Sequence, residues 1–242
     1  MAKYFLHEIA PAKRAVTPVT ASLHKEVLAL NKKEKVLKIK DEFNKLYPEA
    51  DCSLDYKDPL QLLISTQLAA QCTDARVNIV TKDLFRKYKN VHDFAAADLE
   101  VLELDIKPTG FYHNKAKNIK SCCQMIIDKF NGEVPNELEK LLLLPGVGRK
   151  TANLVLGDIF GIPGIVVDTH AKRLANRIGL TVNEDPTKIE FDLMKVVPED
   201  YWNMFCHQLV YHGRAVCNAR KPNCEGCTIR QYCEYGNKNQ LN

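Results

Sequence analysis

Four of the chain's nine cysteines fall in its last 26 residues, as Cys217, Cys224, Cys227 and Cys233, in the spacing Cys-x6-Cys-x2-Cys-x5-Cys. Thiols gathered in this way in a reducing compartment point to metal ligation and away from a disulfide framework. A structural zinc ribbon would bring two Cys-x2-Cys knuckles, and only one is present. Four thiolates around an iron–sulfur cubane of the 4Fe-4S type fit better, with zinc as the competing occupant, although the spacing is not that of the bacterial ferredoxins. Arg214, Arg220 and Lys221 flank these ligands. Basic side chains on a loop held rigid by a cluster would meet nucleic-acid phosphates at little entropic cost, which favours a structural role over electron transfer. For any one of them, compensation of an anionic cluster is the alternative.

A second constellation is Leu144-Pro145-Gly146-Val147-Gly148-Arg149-Lys150-Thr151-Ala152. A phosphate-binding P-loop needs Gly-x4-Gly-Lys-Ser/Thr after a strand, but Arg149 separates Gly148 from Lys150 and a helix precedes the glycines. A dinucleotide fingerprint fails on Thr151, where glycine or alanine is required, and again on the missing strand. What remains is a tight turn between two helices. Gly146 and Gly148 would let the backbone approach a phosphate, and the N–H groups opening the second helix, from Arg149 onward, would point at it. The segment resembles the helix-hairpin-helix motif of DNA-binding proteins; a plain helix connection holding two glycines is the alternative. Such a hairpin grips phosphate and not base edges, so sequence or lesion specificity must come from elsewhere.

The elements that must position these residues follow from length and pattern. Two hundred and forty-two residues make one large domain or two modest ones. With 45% hydrophobic and 26% charged residues the chain is not low-complexity and should fold. A net charge of +4 leans toward polyanionic partners without deciding anything. No apolar run reaches the roughly 18 residues a membrane-spanning helix needs, and the N-terminus lacks a secretory signal, so a soluble protein of a reducing cytosol is expected. Residues 1–30, with Pro11 and Pro18, show no period and read as a flexible extension, either a solvated tail or a DNA-holding arm.

From Lys32 the period is helical, with Val36, Ile39, Phe43 and Leu46 at steps of three and four until Pro48. Further helices are predicted from Pro59 to Gln71, Asp74 to Tyr88 and Lys115 to Phe130, the last with Ala116, Ile119, Cys123, Ile126 and Phe130 on one stripe. A short helix from Glu137 to Leu144 precedes the hairpin, and others run from Thr169 to Arg177 and Tyr201 to about Val216, where Trp202, Phe205 and Leu209 share a face. The nearest approach to strand is Ile162 to Val167, and no internal repeat is visible, so the fold class is all-α.

Taken together, Leu144 to Ala152, the Val167-Asp168-Thr169-His170 segment that places Asp168 eighteen residues beyond Lys150, and the cysteine tail resemble the endonuclease III family. Members are DNA glycosylases and abasic-site lyases of base-excision repair, and the resemblance covers roughly residues 30–235. It implies two all-helical domains with DNA in the cleft between: an N-terminal helix over 31–51 that packs with a cluster domain over 164–242, and a six-helix barrel with the hairpin over 52–163. It also implies a 4Fe-4S cluster on the four cysteines, double-stranded DNA with a damaged base or abasic site as partner, no membrane, and a monomeric, cytoplasmic, nucleoid-associated protein.

The resemblance assigns Lys150 as nucleophile and Asp168 as its partner. Chemistry wants such a pair, because breaking an N-glycosidic bond builds positive charge that a carboxylate stabilises, and an amine nucleophile forms a Schiff base. Partial burial and the positive end of its own helix would favour the neutral amine of Lys150. Without the resemblance, Lys150 reads as a phosphate contact and Asp168 or Thr169 as a helix cap.

By similarity Gln71, in Gln67-Leu-Ala-Ala-Gln71-Cys-Thr-Asp74, is the plug that fills the gap left by an extruded base, and Phe111 is the wedge on the opposite strand. An exposed loop amide and a core aromatic are the respective alternatives. Ala69 stands where the family pattern has serine, and the wedge is more often leucine, so lesion range or opposite-base preference is open. His170 and Lys172 follow Asp168 and would either line the cleft or lie on the surface; Cys52, Cys72, Cys122, Cys123 and Cys206 read as small buried hydrophobes. The expected function is a bifunctional glycosylase that removes oxidised pyrimidines. Its competitors are a monofunctional adenine or mismatch glycosylase, which commonly lacks a lysine at position 150, and a noncatalytic iron–sulfur DNA-binding or redox-sensing module.

Overall fold

The structure is a computed structural model and describes residues 30–238. The extension expected over residues 1–30 lies outside the described residues, apart from Leu30. Regular structure among the described residues is entirely helical, as the periodicity requires.

The helix starts are written in the sequence as capping residues. Helix α1 (Lys32–Leu46) opens on a reciprocal box: Asn31 Oδ1 accepts from Glu34 N (3.1 Å) and the Glu34 carboxylate from Asn31 N (2.9 Å). It buries Val36, Ile39 and Phe43, and Leu46 stays partly exposed. Asp58 caps α2 (Pro59–Leu68), whose first residue is the proline that suits that position, and Thr73 caps α3 (Asp74–Lys87). Short helices α4 (Val91–Ala96) and α5 (Leu99–Ile106) start at Asn90 and Asp98. The sequence pattern missed both because six and eight residues are too few to display a period.

A 3-10 turn (Lys107–Thr109) leads into α6 (Tyr112–Phe130), which buries Ala116, Ile119, Cys122, Cys123 and Ile126. Helix α7 is only Leu138–Leu141, shorter than the predicted Glu137 to Leu144. Leu143 and Leu144 donate instead to the carbonyls of Lys140 (3.2 Å) and Leu141 (3.1 Å), the tight turn that begins the hairpin. Then come α8 (Arg149–Phe160), α9 (Thr169–Ile178), α10 (Pro186–Met194, not anticipated), α11 (Trp202–Ala215) and α12 (Glu234–Lys238). The Ile162 to Val167 segment carries no regular structure.

The described chain divides into two compact units, one of residues 50–168 and 198–207 and one of 30–49, 169–197 and 208–238. The boundary thus falls after Asp168 and not after 163, and residues 198–207 belong with the first unit. That unit contains α2 to α8, seven helices of which α7 is one turn. Its core includes Leu62, Leu63, Phe94, Leu102, Ile119 and Leu156. Cys122, Cys123 and Cys206 are buried as expected, whereas Cys52 and Cys72 are only half-buried. No described helix is long and apolar enough to cross a membrane.

Candidate nucleic-acid interface and cysteine site

In the first unit the glycine pair does two different jobs. Gly146 has φ +77°, and a β-carbon there would stand 2.7 Å from Gln67 Oε1 and 3.0 Å from Asn118 Cβ, so the turn is both left-handed and pressed against α2 and α6. Gly148 has ordinary extended backbone and is the N-cap of α8; a β-carbon there would meet nothing within 4 Å. Its lack of a side chain leaves the approach to the helix end clear. The first ladder bond of α8 runs from Ala152 N to Gly148 O (2.9 Å), so the N–H groups of Arg149, Lys150 and Thr151 stand ahead of it at the positive end of the dipole.

Lys150 is the second residue of α8 and is exposed. The partial burial expected of it is therefore absent, and it stands at the positive end of the helix. One turn on, Asn153 is buried and donates to Ile165 O (2.9 Å), three residues before the half-buried Asp168. The segment is fixed twice more, by Gly164 N donating to Asn203 Oδ1 (3.0 Å) and Val166 N to Cys206 Sγ (3.1 Å). Thus α8 both carries Lys150 and anchors the irregular segment that ends in Asp168.

Gln71 and Phe111 lie in the same unit, both exposed and both in the left-handed backbone region (φ 55° and 51°). Phe111 is 64% exposed, which removes the core-aromatic alternative. The two border one pocket with Gln67, Asn114, Lys115 and Asn118.

In the second unit Cys217, Cys224, Cys227 and Cys233 line a single cavity with Arg177 and His212. Arg177 Nη1 donates to Cys217 Sγ (3.2 Å), Gly236 N to Cys233 Sγ (3.4 Å), and His212 Nε2 lies 3.4 Å from Cys227 Sγ. Burial, and then the neighbouring cysteines, push the Cys227 thiol up to about 12. Four thiols lining one cavity are a donor set that suits a metal group. No three His, Cys, Asp or Glu side chains among the described residues are arranged for one metal ion. Arg220 and Lys221 are exposed on the loop between the first two cysteines.

Comparison with known proteins places the chain in a family. The family described as HhH-GPD superfamily base excision DNA repair protein matches residues 64–199. Endonuclease III of Synechocystis sp. is 52% identical over 204 residues, covering 84% of this chain and 93% of the relative. The chain belongs to the endonuclease III family. Its enzyme class is accordingly that of DNA glycosylases and abasic-site lyases of base-excision repair. The fold matches a non-covalent endonuclease III–DNA complex (TM-score 0.83, 44% identity, 88% of this chain and 100% of that one). It matches equally a trapped endonuclease III–DNA covalent intermediate described as an estranged-adenine complex (TM-score 0.83, 45% identity, 87% and 99%).

Four side chains of this endonuclease III-family chain were not foreseen as parts of the site. Arg173 and Arg177 hold the cysteine loop from α9. Arg173 donates to the carbonyls of Gly213 (3.0 Å) and Cys217 (3.1 Å), and Arg177 to those of Asn218 (2.8 Å) and Ala219 (2.7 Å). Two arginines four apart on one helix face were the available signal. Asn153 and Lys115 carried none, since a buried polar residue looks like any other until its partner is known. Lys172, considered for the cleft, is paired with Glu184 (2.8 Å).

Proposed function

We propose that this chain removes an oxidised pyrimidine from duplex DNA and cuts the resulting abasic site by β-elimination through a Schiff base on Lys150. The single observation that carries the reading is that α8 presents Lys150 at its positive end, two residues after the unobstructed Gly148, and through Asn153 anchors the segment bearing Asp168. Hairpin phosphate contacts and base extrusion past Gln71 and Phe111 would bring the sugar to this point.

The Lys150 amine attacks C1′, and the base departs with the electron pair of the N-glycosidic bond and gains a proton. The Asp168 carboxylate stabilises the positive charge that develops on the sugar. Opening of the C1′–O4′ bond by the nitrogen lone pair, with O4′ taking up a proton from water, then leaves a protonated imine. The imine acidifies C2′–H, whose removal expels the 3′ phosphate, and water finally releases the lysine.

Cys217, Cys224, Cys227 and Cys233 would hold a 4Fe-4S cluster whose contribution is rigidity of the loop carrying Arg220 and Lys221, placed for phosphate contact along with Arg149. The partner is double-stranded DNA containing a damaged base or abasic site, bound by a monomer in the cytosol.

The test is borohydride reduction on an abasic duplex. Wild-type protein should be captured as a covalent adduct, and Lys150→Ala should not. Capture of that variant moves the nucleophile elsewhere, and no capture of the wild type favours a monofunctional or noncatalytic protein. A panel of single-lesion duplexes then decides whether oxidised pyrimidines are the substrates.

A further inference from the structure

The non-glycine residues with left-handed backbone among those described are Gln71, Phe111 and Asn131. Asn131 ends α6, where asparagine commonly takes that conformation. A glutamine and a phenylalanine are less at home there, and such a conformation persists only where the surrounding structure holds it. These are the two residues assigned as plug and wedge, and one side chain ties the segments that carry both.

Lys115, in the first turn of α6, is 6% exposed. Its ammonium donates to Leu68 O and to Thr109 O, 2.8 Å in each case. Leu68 is the last residue of α2 and Thr109 the last of the 3-10 turn. One cation therefore closes the C-terminal ends of two helical segments, where carbonyls lack intrahelical donors and the dipole favours positive charge. The chain reaches Gln71 three residues after the first contact and Phe111 two residues after the second. Burial draws the Lys115 pKa below the usual lysine range, so the site carries a desolvation cost that a packing role alone would not require.

We propose that Lys115 is a positioning residue that fixes plug and wedge at one separation, so that Gln71 and Phe111 enter a duplex as a pre-set pair. This rests on the plug and wedge assignment above. Without the ammonium each loop must be ordered separately as it enters the stack, and the penalty falls on base extrusion. It falls hardest on a stacked and paired base and least on a preformed abasic site, which has no base to unstack.

The experiment compares single-turnover base removal with cleavage of a preformed abasic site in Lys115→Met, in the double variant Gln71→Ala/Phe111→Ala, and in the triple variant. Lys115→Met should slow base removal about 10-fold or more and abasic-site cleavage less than about 3-fold. In the background lacking plug and wedge, the same substitution should change base removal by less than about 2-fold, because what it positions is gone. Equal losses on both substrates, or the full loss persisting in that background, would overturn the proposal and leave Lys115 a packing residue. Should Lys115→Met melt below the assay temperature, Lys115→Arg keeps the cation and displaces its donors, and the same cycle is read with it. Normal borohydride capture alongside an additive cycle removes only the Lys115 proposal; a wild type that neither releases base nor is captured removes the function reading as well.

Discussion

The two units divide the holding of their exposed groups differently between backbone and side chains. In the unit with the hairpin, the groups proposed to meet DNA are few, exposed and set mainly by backbone conformation, with Lys115 as a single buried strut behind two of them: a left-handed Gly146, left-handed Gln71 and Phe111, and a lysine at the start of α8. In the unit with the cysteines, the loop from Cys217 to Asn223 is set by side chains reaching its carbonyls, chiefly Arg173 and Arg177, with Asn223 N closing onto Val216 O (2.9 Å). Backbone conformation places an atom with little covering mass, which leaves room for a ligand. Side-chain struts fill that room and give rigidity in its place.

The comparison can be broken at several points. The largest effect should come from Lys150→Gln, which removes the amine and leaves the hairpin backbone intact. Strand cleavage should fall by about 10⁴-fold or more, while the Kd for a duplex with an uncleavable abasic analogue stays within about 3-fold. A Kd loss as large as the rate loss would make Lys150 a phosphate contact.

In the other unit, Arg177→Ala deletes the donors to Cys217 Sγ, Asn218 O and Ala219 O and a guanidinium lying 4.7 Å over the Tyr235 ring. DNA affinity should weaken about 10-fold and Tm fall by about 4–8 °C, since roughly 2 kcal/mol of hydrogen bonding and ring contact is lost. Binding unchanged in titrations at two salt concentrations would show that the loop does not touch DNA.

The two hairpin glycines sharpen the contrast within one unit. Gly146→Ala meets both a positive φ and the Gln67 and Asn118 side chains, so it should cost about 2 kcal/mol in denaturant unfolding. Gly148→Ala should leave stability within about 0.5 kcal/mol and weaken DNA binding about 10-fold by placing a methyl group where a phosphate approaches.

The smallest effect belongs to Asp192, which accepts from Thr181 Oγ1 (2.6 Å) and Asn183 Nδ2 (2.6 Å). Those hydrogen bonds hold its carboxyl below the usual range. Its stabilisation is present above the unfolded pKa of about 3.9 and is lost as pH falls through the lower folded value. Asp192→Asn should flatten the Tm-against-pH curve below pH 4 by about 2 °C or less. An unaltered curve would assign the acid sensitivity to other carboxylates.

Much of this was legible in the chain. The helical class, α1 from Lys32, the stripe of α6 and the turn at Gly146 follow from local rules, because periods and φ restrictions act within a few residues. The four cysteines were legible because ligand spacing is itself a sequence property. The length of α7, the short α4 and α5, and the exposure of Phe111 were not. Each depends on which groups packing leaves uncovered.

By itself the sequence determined which residues can do chemistry, since an amine, a carboxylate and four thiols are identities and their order is fixed by covalent bonds. Only the tertiary structure decided what positions them: Asn153 joining α8 to the segment before Asp168, Arg173 and Arg177 under the cysteine loop, and Lys115 between Leu68 and Thr109. The physical reason is that a buried polar side chain must find a partner when it leaves water, and that partner is chosen by the folded chain and not by spacing.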